Sequence, residues 1–332
     1  MYKGRNVVIA GGTGPIGIPL TKQLIERGAN VTVVSLENHD YASKVLHPKA
    51  KFIQSDLVDI QNCNNIVKNQ DMVFNLMGIR GSVGIGETKV ASYLVSMLRF
   101  QTNLMEAAFN AKIDKFLFVG SINSYPQADI HFEENMWNGM PKQNDRILGI
   151  AKRVGELLGE SYYLEHNWEA VRIVRPSNVY GPFDAFPPKT AHVIPSLISR
   201  IAKGENPLIV WGNGTVKRDF IFSEDVAFWM LEAMEKAPPC YPINLGSGIA
   251  ITIKEIAETI TAIMNPNISI KWDDTKPSGD PCRLLSMKRA KSTIGFYPKT
   301  PLEQGLIKTI NWYLNNQSLT KKRFNYFKKN NL

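Results

Sequence analysis

Glycine recurs at every third position in the stretch AGGTGPIG, at Gly11, Gly14 and Gly17, between the strand-like NVVIA and the helix-like GIPLTKQLIERG. No other feature limits the fold of this chain as much. A residue without Cβ allows the tight turn, lets backbone N–H groups approach a pyrophosphate, and lets the helix pack close to the strand. The helix N-terminus adds positive potential where the phosphates would lie. The spacing and its context predict a dinucleotide cradle.

The rest of the first half agrees with that prediction. Short apolar runs, NVTVVSL, AKFIQSD, MVFNLMG, KFLFVGS and EAVRIVRP, follow NVVIAGG and are separated by segments of helix length. This alternation predicts an α/β protein with a doubly wound parallel sheet, a Rossmann fold. Beyond Pro176 the segment PSNVYGPFDAFPPKT is rich in proline and favours loops. Helical patterns resume at HVIPSLISRIAKG, SEDVAFWMLEAMEKA and TIKEIAETITAIMN, the last with Thr252 and Glu255 spaced as a capping box. We therefore expect a dinucleotide-binding unit over residues 1–175, to which 218–247 returns. A smaller substrate-binding region over 176–217 and 248–316 and a basic tail over 317–332 complete the expected division.

Composition narrows the function. Of the 332 residues 44% are hydrophobic, ample for a core, yet no apolar run approaches the roughly 20 residues of a membrane span. Met1 leads within a few residues into NVVIAGG, so no secretory leader is expected and a cytoplasmic location is. Cys63, Cys240 and Cys282 have no metal-ligand spacing, so neither zinc nor a disulfide framework is expected. The formal charge is +9, but Lys321, Lys322, Arg323, Lys328 and Lys329 in the tail carry five of it, leaving +4 for the rest. A solvated tail accounts for that cluster without nucleic acid or membrane, and the remaining excess suits an anionic nucleotide substrate.

The second strand ends at Ser35, where an acid would meet an adenosine ribose or an arginine a 2′-phosphate. Glu37 is the nearest acid and no cation adjoins it, so NAD is the expected cofactor and NADP the alternative. Asp56, after KFIQS, stands either at the adenine or as an exposed loop acid.

With the cradle, the segments FVGSINSYP, GIAKRVGE and RPSNVYGP resemble the extended short-chain dehydrogenase/reductases that act on nucleotide sugars. AHVIPSLI, VWGNGTVKRDFIFSEDVA, INLGSG and KPSGDPCRLL are similar to the GDP-L-fucose synthases within that family. The resemblance implies that Ser121 binds the C4 oxygen of the sugar and that Lys152 grips the nicotinamide ribose. It implies a catalytic tyrosine where this chain has Leu148, and an acid–base cysteine where it has Asn123. His192 falls on the family's proton-carrying histidine, and Asn178, Arg218 and Arg283 on contacts to the diphosphate, with Trp211 either nearby or in the core. The helices over 93–110 and 147–166 correspond to those that pair family members into homodimers. The expected function is that of an NAD(P)-dependent nucleotide-sugar oxidoreductase/epimerase, with redox at C4 of a GDP-linked sugar. The alternative, prompted by Leu148, is a protein that binds dinucleotide and nucleotide sugar without turnover.

Overall fold

Runs of valine, isoleucine and phenylalanine with a helix between them can bury both faces of each strand only in a parallel sheet covered on both sides. The computed structural model describes residues 1–79, 89–187, 191–276, 279–320 and 324. Its strands are β1 (Asn6–Ala10), β2 (Asn30–Ser35), β3 (Lys51–Gln54), β4 (Met72–Asn75), β5 (Lys115–Val119), β6 (Ile130–His131), β7 (Val171–Pro176), β8 (Asn178–Tyr180), β9 (Leu208–Trp211), β10 (Lys217–Phe222), β11 (Ile243–Leu245), β12 (Ala250–Thr252), β13 (Ile270–Asp273) and β14 (Cys282–Leu285). The helices are α1 (Gly17–Glu26), α2 (His39–Val45), α3 (Ile60–Val67), α4 (Val90–Asn110), α5 (Arg146–His166), α6 (Val193–Ile201), α7 (Ser223–Lys236), α8 (Ile253–Met264), α9 (Lys288–Ile294), α10 (Leu302–Asn315) and α11 (Gln317–Thr320).

Seven strands form the main sheet in the order β3-β2-β1-β4-β5-β7-β11, all parallel. Alternate residues of each central strand enter different cores, as a period of two requires. Val7, Ile9 and Leu117 join Leu20, Leu24, Trp229 and Met230 on one face. Val8, Ala10, Phe116 and Phe118 join Met97 and Leu104 on the other. The strand order reverses between β1 and β4, so the crevice beyond their carboxyl ends is where this architecture binds ligands.

The second apolar face is closed by α5, and glycine makes the fit. A Cβ at Gly155 would lie 2.2 Å from the ring of Phe118, and one at Gly159 would lie 2.9 Å from Val171. Beyond the main sheet, β12, β10, β14 and β6 form a small mixed sheet, β8 joins β10, and β9 pairs with β13. A third core holds this part together, with Ile194, Ile198, Ile256, Ile260, Leu306 and Ile310 at its centre. Thr252 and Glu255 form both halves of the expected capping box at α8.

Two expectations need correction. Trp211 is 64% exposed on β9 and is not core, because the alternating face of that strand is open to solvent. The tail is also not simply solvated where it is described. Its first residues form α11, Leu319 packs with Phe183 against Ile18, Tyr41 and Val45, and Thr320 is buried. The tail cations Lys321, Lys322, Arg323, Lys328 and Lys329 lie outside the described residues. Among the described residues no helix is long and apolar enough to cross a membrane.

Candidate active site

The glycine turn follows β1 at the crevice. Gly11 has φ +79°, and a Cβ on it would stand 3.1 Å from the backbone of Leu76 and Met77 at the end of β4. A Cβ on Gly17 would fall 2.4 Å from the backbone of Gly12, so only glycine lets α1 start this close to the turn. Helix α1 has no acid in its first turn and no side-chain cap, which leaves its positive end open to a phosphate. Gly14 lies in the same turn, and its carbonyl accepts the N–H of Ile18. These residues fit a dinucleotide pyrophosphate.

Across the crevice α5 presents Lys152. The side chain is only 6% exposed, its Nζ donates to the Met77 carbonyl at 2.9 Å, and it lies 5.2 Å from the centre of the Phe118 ring. An ammonium has three hydrogens to give. Among the described residues Met77 is its one hydrogen-bond acceptor, so two donors point at no protein group. Burial pushes the Lys152 pKa down to about 8, against the opposing pull of Glu156. A buried, under-satisfied ammonium beside the glycine turn suits the hydroxyls of a ribose.

Ser121 ends the loop after β5 and starts a short 3₁₀ turn, where its Oγ accepts the N–H of Asn123 at 3.1 Å. Its own hydroxyl hydrogen has no protein acceptor among the described residues, so it can be donated to a ligand. Gly149 lets α5 meet this turn, since a Cβ there would lie 2.4 Å from the Asn123 carbonyl. Leu148 stands one helical turn before Lys152 and packs, half-buried, against the core cluster of α4 and α5. It offers no proton.

A buried network that the sequence did not reveal holds these pieces. Arg175, 1% exposed at the end of β7, pairs with Glu156 of α5 at 2.7 Å and donates to the Tyr125 hydroxyl at 2.8 Å and the Glu133 carbonyl at 2.9 Å. Tyr125 donates to Asn244 of β11 at 2.6 Å, and the Asn244 N–H donates to the Glu133 carboxylate at 2.9 Å. Glu156 is one turn beyond Lys152, and Tyr125 four residues beyond Ser121, so the network sets both against the sheet. Gly120 makes room for it, because a Cβ there would lie 2.6 Å from Glu156 Oε1. The available signal was an arginine in a run otherwise rich in valine and isoleucine, VRIVRP, since a charge carried into the core by such a strand must find a buried partner.

Beyond Ser121 lies a cluster of cations. Arg218 of β10 and Arg283 of β14 are register partners. Arg283 donates to Asp145 at 2.9 Å, to the Ile122 carbonyl at 3.2 Å and to Asn123 Oδ1 at 3.3 Å. Arg218 donates to the Asp280 carbonyl at 2.7 Å, while Lys142 bonds the Asp280 carboxylate. Burial and then the charge of Arg283 pull the Arg218 pKa below its ordinary value, the response expected of cations crowded together. Lys142, Arg218 and Arg283 meet the two carboxylates of Asp145 and Asp280 here, which leaves a net charge of +1 toward an entering anion.

The remaining expected residues are placed as follows. The Asn178 side-chain amide donates to the Asp219 carbonyl at 2.9 Å, tying β8 to β10. His192 is exposed as the N-cap of α6, and its imidazole has no hydrogen-bond partner among the described residues. Ser35 Oγ accepts the Thr13 hydroxyl at 3.0 Å and the Glu37 N–H at 3.1 Å, fixing the end of β2 to the glycine turn. Glu37 is buried, and its carboxylate accepts the Phe324 N–H at 2.8 Å. Asp56 is exposed and caps its own turn through the Val58 N–H at 3.1 Å. Ser121, Asn123 and Arg283 therefore come together, as do Gly11 and Lys152 around Met77, whereas His192 bonds to none of them. Among the described residues no group of His, Cys, Asp or Glu is placed to hold a metal.

A doubly wound sheet with a glycine turn, an under-satisfied buried lysine and a strand-end serine at its switch point defines a nicotinamide-dinucleotide-binding α/β protein. The NAD dependent epimerase/dehydratase family matches residues 7–246, and the chain belongs to that family. It is similar to the GDP-L-fucose synthase of Escherichia coli strain K12, 30% identical over 330 residues that cover 94% of this chain and 98% of that one. It is 29% identical over 327 residues to a probable GDP-L-fucose synthase of Oryza sativa, covering 96% and 95% of the two chains. Among solved structures, an epimerase from Methanothermobacter thermautotrophicus shares the fold with a TM-score of 0.86 over 97% of this chain and 95% of its own, at 23% identity.

Proposed function

We propose that the protein is a nicotinamide-dependent oxidoreductase of nucleotide sugars that interconverts a ketone and an alcohol at C4 of a GDP-linked sugar. The observation that carries this reading is Lys152, buried at the crevice with two ammonium hydrogens unclaimed by any of the described residues. Bound nicotinamide supplies or accepts the hydride. Lys152 holds the ribose of that group through its free donors, and Gly11, Gly14 and Gly17 admit the pyrophosphate to the backbone. Ser121 donates its hydroxyl to the C4 oxygen and stabilises negative charge as the carbonyl is reduced. Arg218 and Arg283, whose forks match phosphate geometry, take the diphosphate, with Asn178 beside them on β8.

Leu148 limits the rate. A side-chain acid at this place is worth about 10²- to 10⁴-fold, and without one the proton must come from water. Proton exchange at C3 and C5 lacks one half of its acid–base pair, because the amide of Asn123 is no proton acceptor near neutral pH, whereas epimerisation at C4 needs only the C4 redox step. The family resemblance of α4 and α5 to dimer-forming helices, with Val95, Leu157 and Leu164 exposed at 45%, 48% and 74%, supports a homodimer.

The test is incubation with NADH or NADPH and a GDP-4-keto-6-deoxy sugar. Slow loss of nicotinamide absorbance and a product heavier by two hydrogens are expected. The packing of Leu148 into the apolar cluster favours a second reading, a protein that binds both ligands without chemistry. Tight binding of both with no redox change over hours would select it.

A further inference from the structure

Asp219 of β10 is wholly buried, and the function proposed above makes no use of its carboxylate. Its Oδ1 accepts the Ser247 N–H at 2.7 Å, the Ser247 hydroxyl at 2.8 Å and the Ser177 hydroxyl at 3.2 Å, and its Oδ2 accepts the N–H groups of Leu285 at 3.3 Å and Gly248 at 3.4 Å. None of these donors is a cation, so the buried charge depends on all of them. Gly246 leaves room for it, since a Cβ there would lie 2.2 Å from Oδ2. Three segments meet at this one side chain. Ser177 follows β7 and residues 246–248 follow β11, both strands of the main sheet, whereas Leu285 ends β14 of the small sheet.

The same contact bears on the two arginines. Arg218 precedes Asp219 on β10, and its register partner Arg283 lies two residues before Leu285 on β14. The N–H groups of Leu284 and Ser286 go to the Asp129 and His131 carbonyls on the β6 side, and that of Leu285 between them goes to Asp219. We propose that Asp219 is a positioning residue for the nucleotide-sugar diphosphate: its carboxylate locks β14 and the loop after β11 to β10, and so sets Arg218 and Arg283 together beside the turn that starts at Ser121. The proposal rests on the diphosphate reading above. An asparagine at 219 keeps one acceptor oxygen and turns the other into a donor. With its oxygen on the closer Ser247 donors, its amide hydrogens would face the N–H groups of Leu285 and Gly248, and β14 would come free. Loss of the aim of one charge-assisted phosphate contact sets the expected effect at about tenfold.

The test titrates the full chain, Asp219→Asn, Ser247→Ala and Asp225→Asn with GDP by calorimetry and with NADH by fluorescence. Asp225 is the control: it is 4% exposed on α7 and accepts the N–H groups of Lys299 and Thr300 and the Thr300 hydroxyl at 2.7 to 2.9 Å, partners that lie outside β10 and β14. Asp219→Asn is expected to bind GDP about tenfold more weakly, and Ser247→Ala, which loses one neutral donor, about threefold. Both should bind NADH as the full chain does. Asp225→Asn should lower the urea midpoint without moving either affinity. Should Asp219→Asn not fold, Ser247→Ala carries the comparison by the same criterion. Unchanged GDP affinity in Asp219→Asn would overturn the proposal, as would equal losses of GDP and NADH affinity, or a loss of GDP affinity as large in Asp225→Asn. A full chain that binds NADH but not GDP would overturn the diphosphate reading along with it, a different result from equal GDP binding by all four proteins.

Discussion

Two side chains near the sheet edge lend themselves to direct test. Leu148 and Lys152 are four apart on α5 and so share a face. A phenol at 148 would stand near the Lys152 ammonium, which would lower its pKa toward the working range. Leu148→Tyr is expected to raise C4 ketoreductase turnover about 10²-fold, measured by nicotinamide absorbance with a GDP-4-keto-6-deoxy sugar. A folded, cofactor-binding variant no faster than its parent would show that the pocket is shaped around leucine. His131 reports on the same region. It is 2% exposed, stacks on Tyr125 with ring centroids 4.9 Å apart, and neither ring nitrogen has a partner among the described residues. Burial, reinforced by the charge of Arg283, pushes its pKa down to about 4. The unfolded chain protonates His131 near pH 6.5 and the folded one only near 4, so its contribution to stability is complete above 6.5 and falls as pH drops through that window. Between pH 7.5 and 4.5 the native protein should lose about 2 to 3 kcal/mol more than His131→Phe, read from urea midpoints.

At the level of elements, the glycine turn and α5 do different work. Gly17→Ala forces a methyl to within 2.4 Å of the Gly12 backbone, so α1 must move off the turn. We expect NADH binding to weaken at least about tenfold while overall stability falls by about 1 to 3 kcal/mol, by fluorescence titration and denaturant unfolding. Unchanged binding would remove the turn from the cofactor site. Helix α5 is instead held by its ion pair. Glu156→Gln leaves Arg175 charged and buried without a counter-ion, an imbalance of the kind that costs about 3 to 5 kcal/mol. The turn was readable from sequence because its glycines act on their immediate neighbours in the chain. The network around Arg175 was not, since it joins residues from β7, α5, β11 and the loops after β5 and β6 that only the folded sheet brings together.

For the whole molecule, the pairing of α4 and α5 with their copies is the expectation to check. A dimer at micromolar concentration by sedimentation is expected, and Leu157→Glu with Leu164→Glu should yield a folded monomer, because a charge placed on a buried apolar seam stays unpaired. Wild-type monomer under those conditions would leave these leucines as ordinary surface. The tail belongs to this scale too. Composition presented it as a charged, solvated end, and nothing in its own sequence told of Ile18 or Tyr41, hundreds of residues away, which receive Leu319.

Local chemistry determined the alternation of strands and helices, the glycine turn, the capping box at Thr252 and the absence of an ionisable group at Leu148, because each depends on residues a few positions apart. The face each strand buries likewise follows from its period of two. What the tertiary structure alone decided depends on distance in space. Lys152 is depleted of partners and lowered in pKa only because α5 lies flat on Phe118 and faces Met77. His192 is left alone, Arg218 and Arg283 are set side by side, and Glu37 is covered by Phe324 through packing that no short stretch of chain records. Burial and charge proximity are properties of the assembled fold, and they turn a lysine, a serine and two arginines far apart in sequence into one candidate site.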